Sequence, residues 1–125
     1  MIEGVVVIVV VDQRYLMIRR AAGILAGGAW CFVGGAIDPG ESQVDAVMRE
    51  FREEVGGSVR PISKVWEYTR PDGRLRLHWW TAELLSEELI ANPAEVQEIR
   101  WLSREEIALL ENVLDSNRQY LDESG

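Results

Sequence analysis

Glu50, Glu53 and Glu54 stand in the stretch MREFREEVGG, three carboxylates within five positions. A short predicted helix carries them near its C-terminal end, a poor place for acid. The helix dipole puts partial negative charge there, and like charges three or four residues apart repel by roughly a few tenths of a kcal/mol per pair. Clustered carboxylates are the usual ligands of hard cations such as Mg²⁺ or Mn²⁺. Bound cations would cancel the repulsion, bridge to phosphates and lower the pKa of a bound water. An acidic helix face can also be plain solvated surface, and the three glutamates by themselves leave both readings open.

The helix that must position them is predicted to start at Ser42. Ser42 and Asp45 form a capping-box pattern with Asp in place of Glu. Val44, Val47, Met48, Phe51 and Val55 follow helical spacing and predict one apolar stripe. Gly56 suits the C′ position. At about 100° per residue the three glutamates share one arc of roughly 100°, its centre roughly 120° from that of the stripe. They should border the core-facing side, where a cleft could form, with Arg52 toward solvent.

Around the helix the pattern predicts strands. Val5–Val11 is an unbroken valine and isoleucine run, expected as a strand covered on both faces. The sequence DQR then reads as a turn, Tyr15–Ile18 as a second strand, RRAAGILAGGAW as a mobile loop and Trp30–Phe32 as a short strand. Val59–Thr69 and Leu75–Leu84 flank Arg-Pro-Asp-Gly-Arg, a turn signal that makes them a hairpin. Ser86–Glu98 reads as a loop and Ile99–Leu102 as a strand. Ser103 with Glu106 opens a helix to about Leu110, and Asn112–Tyr120 either extends it or forms another. Strands and helices do not alternate strictly. The expectation is a single α+β domain over residues 1–125, a mixed sheet with helices packed on it.

Composition narrows the function. A net charge of -8 argues against non-specific binding of nucleic-acid polymers or membranes, which needs basic patches. A small polyanion can still bind an acidic pocket through bridging metal ions. The single cysteine, Cys31, precludes an intrachain disulfide and reads as a small core residue. Val5–Val11 is too short to span a bilayer and lacks a basic leader, so a soluble, cytoplasmic protein is expected.

The spacing around the glutamates is more specific. Gly35, five residues, Glu41, seven residues, then REFREEVG from Arg49 to Gly56 resembles the signature of the Nudix hydrolases of the MutT type. The resemblance is strongest over Trp30–Gly57 and extends more weakly to Asn92–Ile107. It implies an α/β/α sandwich around a mixed sheet and hydrolysis, dependent on Mg²⁺ or Mn²⁺, of a nucleoside diphosphate linked to another group. Carried over by position, Glu50, Glu53 and Glu54 match metal ligands, and Gly34 matches a residue whose backbone carbonyl often joins them. Glu41 and Arg49 match positions that orient the loop and the glutamates. Arg49 can also simply pair with Asp45 and Glu53 on its own helix. Two positions depart from the pattern. Gly57 stands where an aliphatic residue usually follows the glycine, which should loosen a packing contact, and Val33 stands where proline often precedes the paired glycines.

Many relatives draw a further glutamate from a late loop, as a metal ligand or as the base that activates water. Glu95 and Glu98 are the candidates, and either can be merely solvated. For the rest of the substrate, the alternation in RLRLHWW puts Arg76, His78 and Trp80 on one strand face and Leu75, Leu77 and Trp79 on the other. The first face either lines a pocket or lies solvated; the second reads as core, and Trp66, Tyr68 and Trp101 read as core or partial core, or else as platforms on which a base stacks. The reading is a small-molecule pyrophosphohydrolase that cleaves a nucleoside triphosphate, normal or oxidised, to the monophosphate and pyrophosphate. The alternatives are an ADP-ribose or dinucleoside polyphosphate hydrolase, or a Nudix-fold binding module without catalysis. Relatives often form homodimers, but the sequence marks no interface.

Overall fold

The computed structural model describes residues 1–124. In chain order the elements are β1 (Ile2–Ile8), β2 (Val10–Val11), β3 (Arg14–Arg20), β4 (Trp30–Cys31), β5 (Val33–Ala36), α1 (Gln43–Val55), β6 (Val59–Thr69), β7 (Leu75–Leu84), β8 (Val96–Leu102), α2 (Arg104–Leu109) and α3 (Asp115–Ser124). One sheet has the order β5-β1-β7-β6. It is mixed: β1 runs parallel to β7 and antiparallel to β5, and β6 is antiparallel to β7. In the second sheet β3 pairs antiparallel with β2, β4 and β8.

Helices cover both faces. On one, Val47, Phe51 and Val55 of α1 pack on Val5, Val7, Leu16, Ile18 and Val33. On the other, Ile107 of α2 and Tyr120 and Leu121 of α3 pack on Val6, Met17, Phe32 and Trp79. The fold is the mixed α/β/α sandwich that the sequence predicts. Alternation along β1 explains it: Val5 and Val7 serve the α1 core while Val6 and Ile8 serve the other, as period-two side chains must. Fully buried Phe51 contributes about 2–3 kcal/mol.

The valine run ends sooner than expected. Val5 to Val9 are buried, but Val10 and Val11 are exposed, because the chain has left the first sheet and joined the edge of the second. It reverses through Asp12 and Gln13, whose φ of 51° and 65° build the two-residue hairpin that matches strand twist. The hairpin between β6 and β7 turns at Gly73, φ 72°, with Gly73 N–H donating to Arg70 O at 2.8 Å. β3 and β8 are longer than their apolar cores suggest, reaching Arg20 and starting at Val96. The C-terminal segment forms a separate helix.

Candidate active site

Ser42 caps α1 by accepting from Asp45 N–H at 3.1 Å. Only that half of the capping box forms, since an aspartate is one methylene shorter than the glutamate that would answer it. Gly56 closes the helix at φ 66°, its N–H donating to Arg52 O at 3.0 Å. Between these caps the buried face contains most of the predicted stripe, Val47, Phe51 and Val55 with Met48 packed beside them, but it is wider on one side. Val44 is exposed, whereas Ala46, Val47, Glu50, Phe51, Glu54 and Val55 are buried. The helix is turned so that Ala46, Glu50 and Glu54, four residues apart, lie against the sheet.

Glu50 and Glu54 are therefore 8% and 6% exposed. Glycine makes room for the first: a β-carbon on Gly35 would sit 2.4 Å from the Glu50 carboxyl carbon. Burial, above all, holds the Glu54 carboxyl well above the usual range; its hydrogen bond to Glu50, the Glu50 charge and then Glu95 add to this, and Arg20 opposes it. A buried carboxylate pair of this kind needs a shared proton or a cation.

Arg49 fixes the rim. Its guanidinium donates to both Glu41 oxygens at 2.8 and 2.9 Å, to Glu50 at 2.8 Å, to Glu53 at 3.1 Å and to Ala36 O at 2.8 Å. Asp38 is a further ion pair at 3.4 Å. The pair with Glu53 forms as four-residue spacing predicts, but Asp45 does not join the cluster. The Arg49 bond and the Asp38 N–H hold the Glu41 carboxyl down at about 2. Arg49 thus links β5, the loop before α1 and the acidic face.

Arg20, Ile24, Gly34, Gly35, Ala36, Glu50, Glu54 and Glu95 line one polar cleft. Glu53 lies outside it, half exposed and tied to Arg49. Among the described residues no three His, Cys, Asp or Glu side chains converge as a metal cage. The donor set still fits a hard cation: Glu50 and Glu54 are buried in contact, with Glu95 in the same cleft. Arg49 and Arg20 supply only part of the opposing charge, and a bound cation would take the place of the proton that Glu54 otherwise holds.

The two late glutamates part company. Glu95 is in the cleft, but Glu98 pairs with Arg100 in a recess with Arg19 and Trp30. Glu95 ends the turn ahead of β8, and an irregularity opposite Arg19 and Arg20 separates it from Glu98, whose neighbours Ile99 and Trp101 beyond it face the α1 core. Arg76, His78 and Trp80 share a face, as predicted, but none lines the cleft. Trp80 donates to Gln43 at 2.9 Å, at the opposite end of α1 from Glu54. His78 is buried, its Nε2 3.4 Å from Glu3, and Arg76 ion-pairs with Glu3 and Glu67. Trp79 and Trp66 are in the α3-side core, and burial pushes the Cys31 thiol up to about 11.

Behind Gly34 and Gly35 a more apolar recess adjoins the cleft, lined by Phe32, Leu77, Leu114 and Asn117 and sharing Arg20 with it. Asn117 Oδ1 accepts from Phe32 N–H at 2.8 Å. No motif singles out these residues. The one available signal is Asn117 on the helical spacing of buried Tyr120 and Leu121.

The family model of the NUDIX domain matches residues 2–123. This chain belongs to the Nudix family. Among its Nudix relatives, the CTP pyrophosphohydrolase of Escherichia coli K12 is 37% identical over 108 residues, 85% of this chain and 78% of that protein. A putative 8-oxo-dGTP diphosphatase of Bacillus subtilis is 30% identical over 81% of this chain and 66% of its own length. The solution structure of the Escherichia coli ORF135 protein superposes with a TM-score of 0.79 at 32% identity, covering 98% of this chain and 86% of that one. An NAD-capped RNA hydrolase of Deinococcus radiodurans is 26% identical, but the chain spans only 40% of its length.

Within the Nudix box, Gly57 does not loosen the packing, contrary to expectation. It is buried, and a β-carbon there would meet Phe51 at 2.5 Å and Leu89 at 2.6 Å. Leu89 has taken the space an aliphatic residue would fill. Val33 is fully buried and pairs with Val7.

Proposed function

We propose that this Nudix protein is a divalent-metal-dependent pyrophosphohydrolase that cleaves a nucleoside triphosphate to a nucleoside monophosphate and pyrophosphate. The observation that carries the reading is the buried Glu50–Glu54 pair in a polar cleft, an arrangement that a cation would relieve of its shared proton. Glu50 and Glu54, with the Gly34 carbonyl, would hold Mg²⁺ or Mn²⁺, and Glu53 would join them only by leaving Arg49. Such ions supply polarisation of phosphoryl oxygens and a bound water of lowered pKa.

The chain's own residues do the rest. Gly35 admits the Glu50 carboxylate, and Arg49 fixes Glu41, Glu50 and the β5 backbone relative to one another. Glu95, in the same cleft, is the better placed of the two late glutamates to take a proton from water. Arg20 is the cation of the cleft and suits a phosphate oxygen. The recess of Phe32, Leu77 and Asn117 offers apolar walls and an amide for a nucleoside. The triphosphate preference is supported by the 37% identity to a CTP pyrophosphohydrolase.

The test is a panel of nucleoside triphosphates, oxidised triphosphates, ADP-ribose and dinucleoside polyphosphates with Mg²⁺ or Mn²⁺. Pyrophosphate release from a triphosphate, lost in Glu54→Gln, is the expected result. Ribose phosphate from ADP-ribose as the main product would shift the substrate class. A folded protein that hydrolyses nothing on the panel would overturn the reading.

A further inference from the structure

Between β7 and β8 the chain returns across the C-terminal end of α1. Ile90 N–H donates to Val55 O at 2.8 Å and Asn92 N–H to Glu54 O at 2.9 Å. The strap thereby takes up helix-end carbonyls that have no partner within the helix. Leu89 anchors it: a β-carbon on Gly57 would lie 2.6 Å from Leu89 Cδ2, so the seat exists only because residue 57 has no side chain.

Asn92 then turns the strap into the cleft. Its Oδ1 accepts from Ala94 N–H at 3.1 Å, and its carbonyl accepts from Glu95 N–H at 3.0 Å and Val96 N–H at 2.7 Å. Beyond the turn, Glu95 O accepts from Ala21 N–H at 2.9 Å. Pro93 removes a competing donor and restricts the backbone of Asn92 before it. One residue thus connects the backbone of Glu54 with that of Glu95, and both side chains line the same cleft.

We propose that Asn92 is a positioning residue that holds the Glu95 carboxylate in the cleft beside Glu50 and Glu54. The proposal rests on reading that cleft as the catalytic and cation-binding centre. The side-chain acceptor is the replaceable part. Without it the Ala94 N–H is released and the turn loosens, while the backbone bond to Glu54 persists. Misplacement of a group by about 1 Å can cost on the order of a hundredfold in rate, and one loosened turn should cost about tenfold.

The experiment compares Asn92→Ala, Asn92→Asp, Glu95→Gln and the double variant Asn92→Ala with Glu95→Gln. Each is measured for kcat and KM, melting temperature, and Mn²⁺ affinity by electron paramagnetic resonance. Positioning predicts about a tenfold loss of kcat in Asn92→Ala with KM unchanged, recovery in Asn92→Asp, and no further loss when Asn92→Ala is added to Glu95→Gln. The same loss in both backgrounds would show a merely structural role and overturn the proposal. So would full activity in either Asn92→Ala or Glu95→Gln. A wild-type protein without turnover is a failure of the enzymatic reading, and Mn²⁺ affinity then decides: binding weakened in both Asn92→Ala and Glu95→Gln and restored in Asn92→Asp supports positioning, and any other pattern overturns it.

Discussion

Gly35 and Glu50 occupy space that only one of them could fill with a side chain. A β-carbon at Gly35 would come within 2.5 Å of all three carboxyl atoms of Glu50. Gly35→Ala should therefore displace the carboxylate from the cleft while the sheet persists. The expected result is a loss of turnover of about a hundredfold with an unchanged far-ultraviolet spectrum.

Cations should stabilise the fold. Mg²⁺ or Mn²⁺ at about a hundred times its dissociation constant adds about 2.7 kcal/mol to unfolding, read as a rise in Tm. Glu54→Gln should raise the Tm of the metal-free protein near neutral pH, because it removes a buried carboxyl whose folded pKa is raised and which must take up a proton on folding, and should abolish most of the rise on adding metal.

Arg49 serves Glu41, Glu50, Glu53 and Ala36 O at once. Its replacement by alanine leaves Glu50 buried beside Glu54 without its cation, and should cost about 2 kcal/mol in a urea titration. Arg49→Lys keeps the charge but not the two-pronged grip on Glu41, and should recover only part of the loss.

The same pair sets an acid limit. Arg49 lowers the Glu41 carboxyl from 4.5 to about 2, so its folded pKa is below its unfolded one. Its contribution is present above about pH 4.5 and disappears as pH falls toward 2. Glu41→Gln should be less stable than wild type at pH 6, and the difference should shrink toward pH 2, as followed by thermal unfolding at each pH.

Gly57→Val, which places an aliphatic residue in the box, should destabilise by about 1–3 kcal/mol through overpacking against Phe51 and Leu89. Unfolding midpoints in guanidinium chloride check this. A stabilised Gly57→Val would mean that Leu89 yields the space easily.

Local signals carried most of the architecture. Ser42, Gly56 and the Pro-Asp-Gly turn have their effects within a few residues, so the helix and the hairpin were legible. The width of the buried face was not, although its centre at Val47, Phe51 and Val55 was. Helical period placed Glu50 and Glu54 at a boundary, and what buries them is the β5 backbone and the strap around Asn92, distant in sequence. Glu95 and Glu98 are equivalent in sequence because the turn that ends at Glu95 and the strand irregularity before Glu98 depend on pairing with the distant Arg19 and Arg20. Gly57 departs from its expected role for a related reason: the residue that fills its space, Leu89, lies in another loop. The recess around Phe32 and Asn117 joins residues 85 positions apart, a contact no local pattern encodes.

Trp79 and Trp80 stand back to back on β7. The Trp79 ring stacks on Tyr120 of α3 at 5.0 Å and 23°, while the Trp80 indole is bonded to the first residue of α1. Neighbouring positions therefore place one fluorophore on each side of the sheet. Single-tryptophan versions of the protein would emit from either the seat of the C-terminal helix or the start of the acidic one, so light could follow the two sides separately.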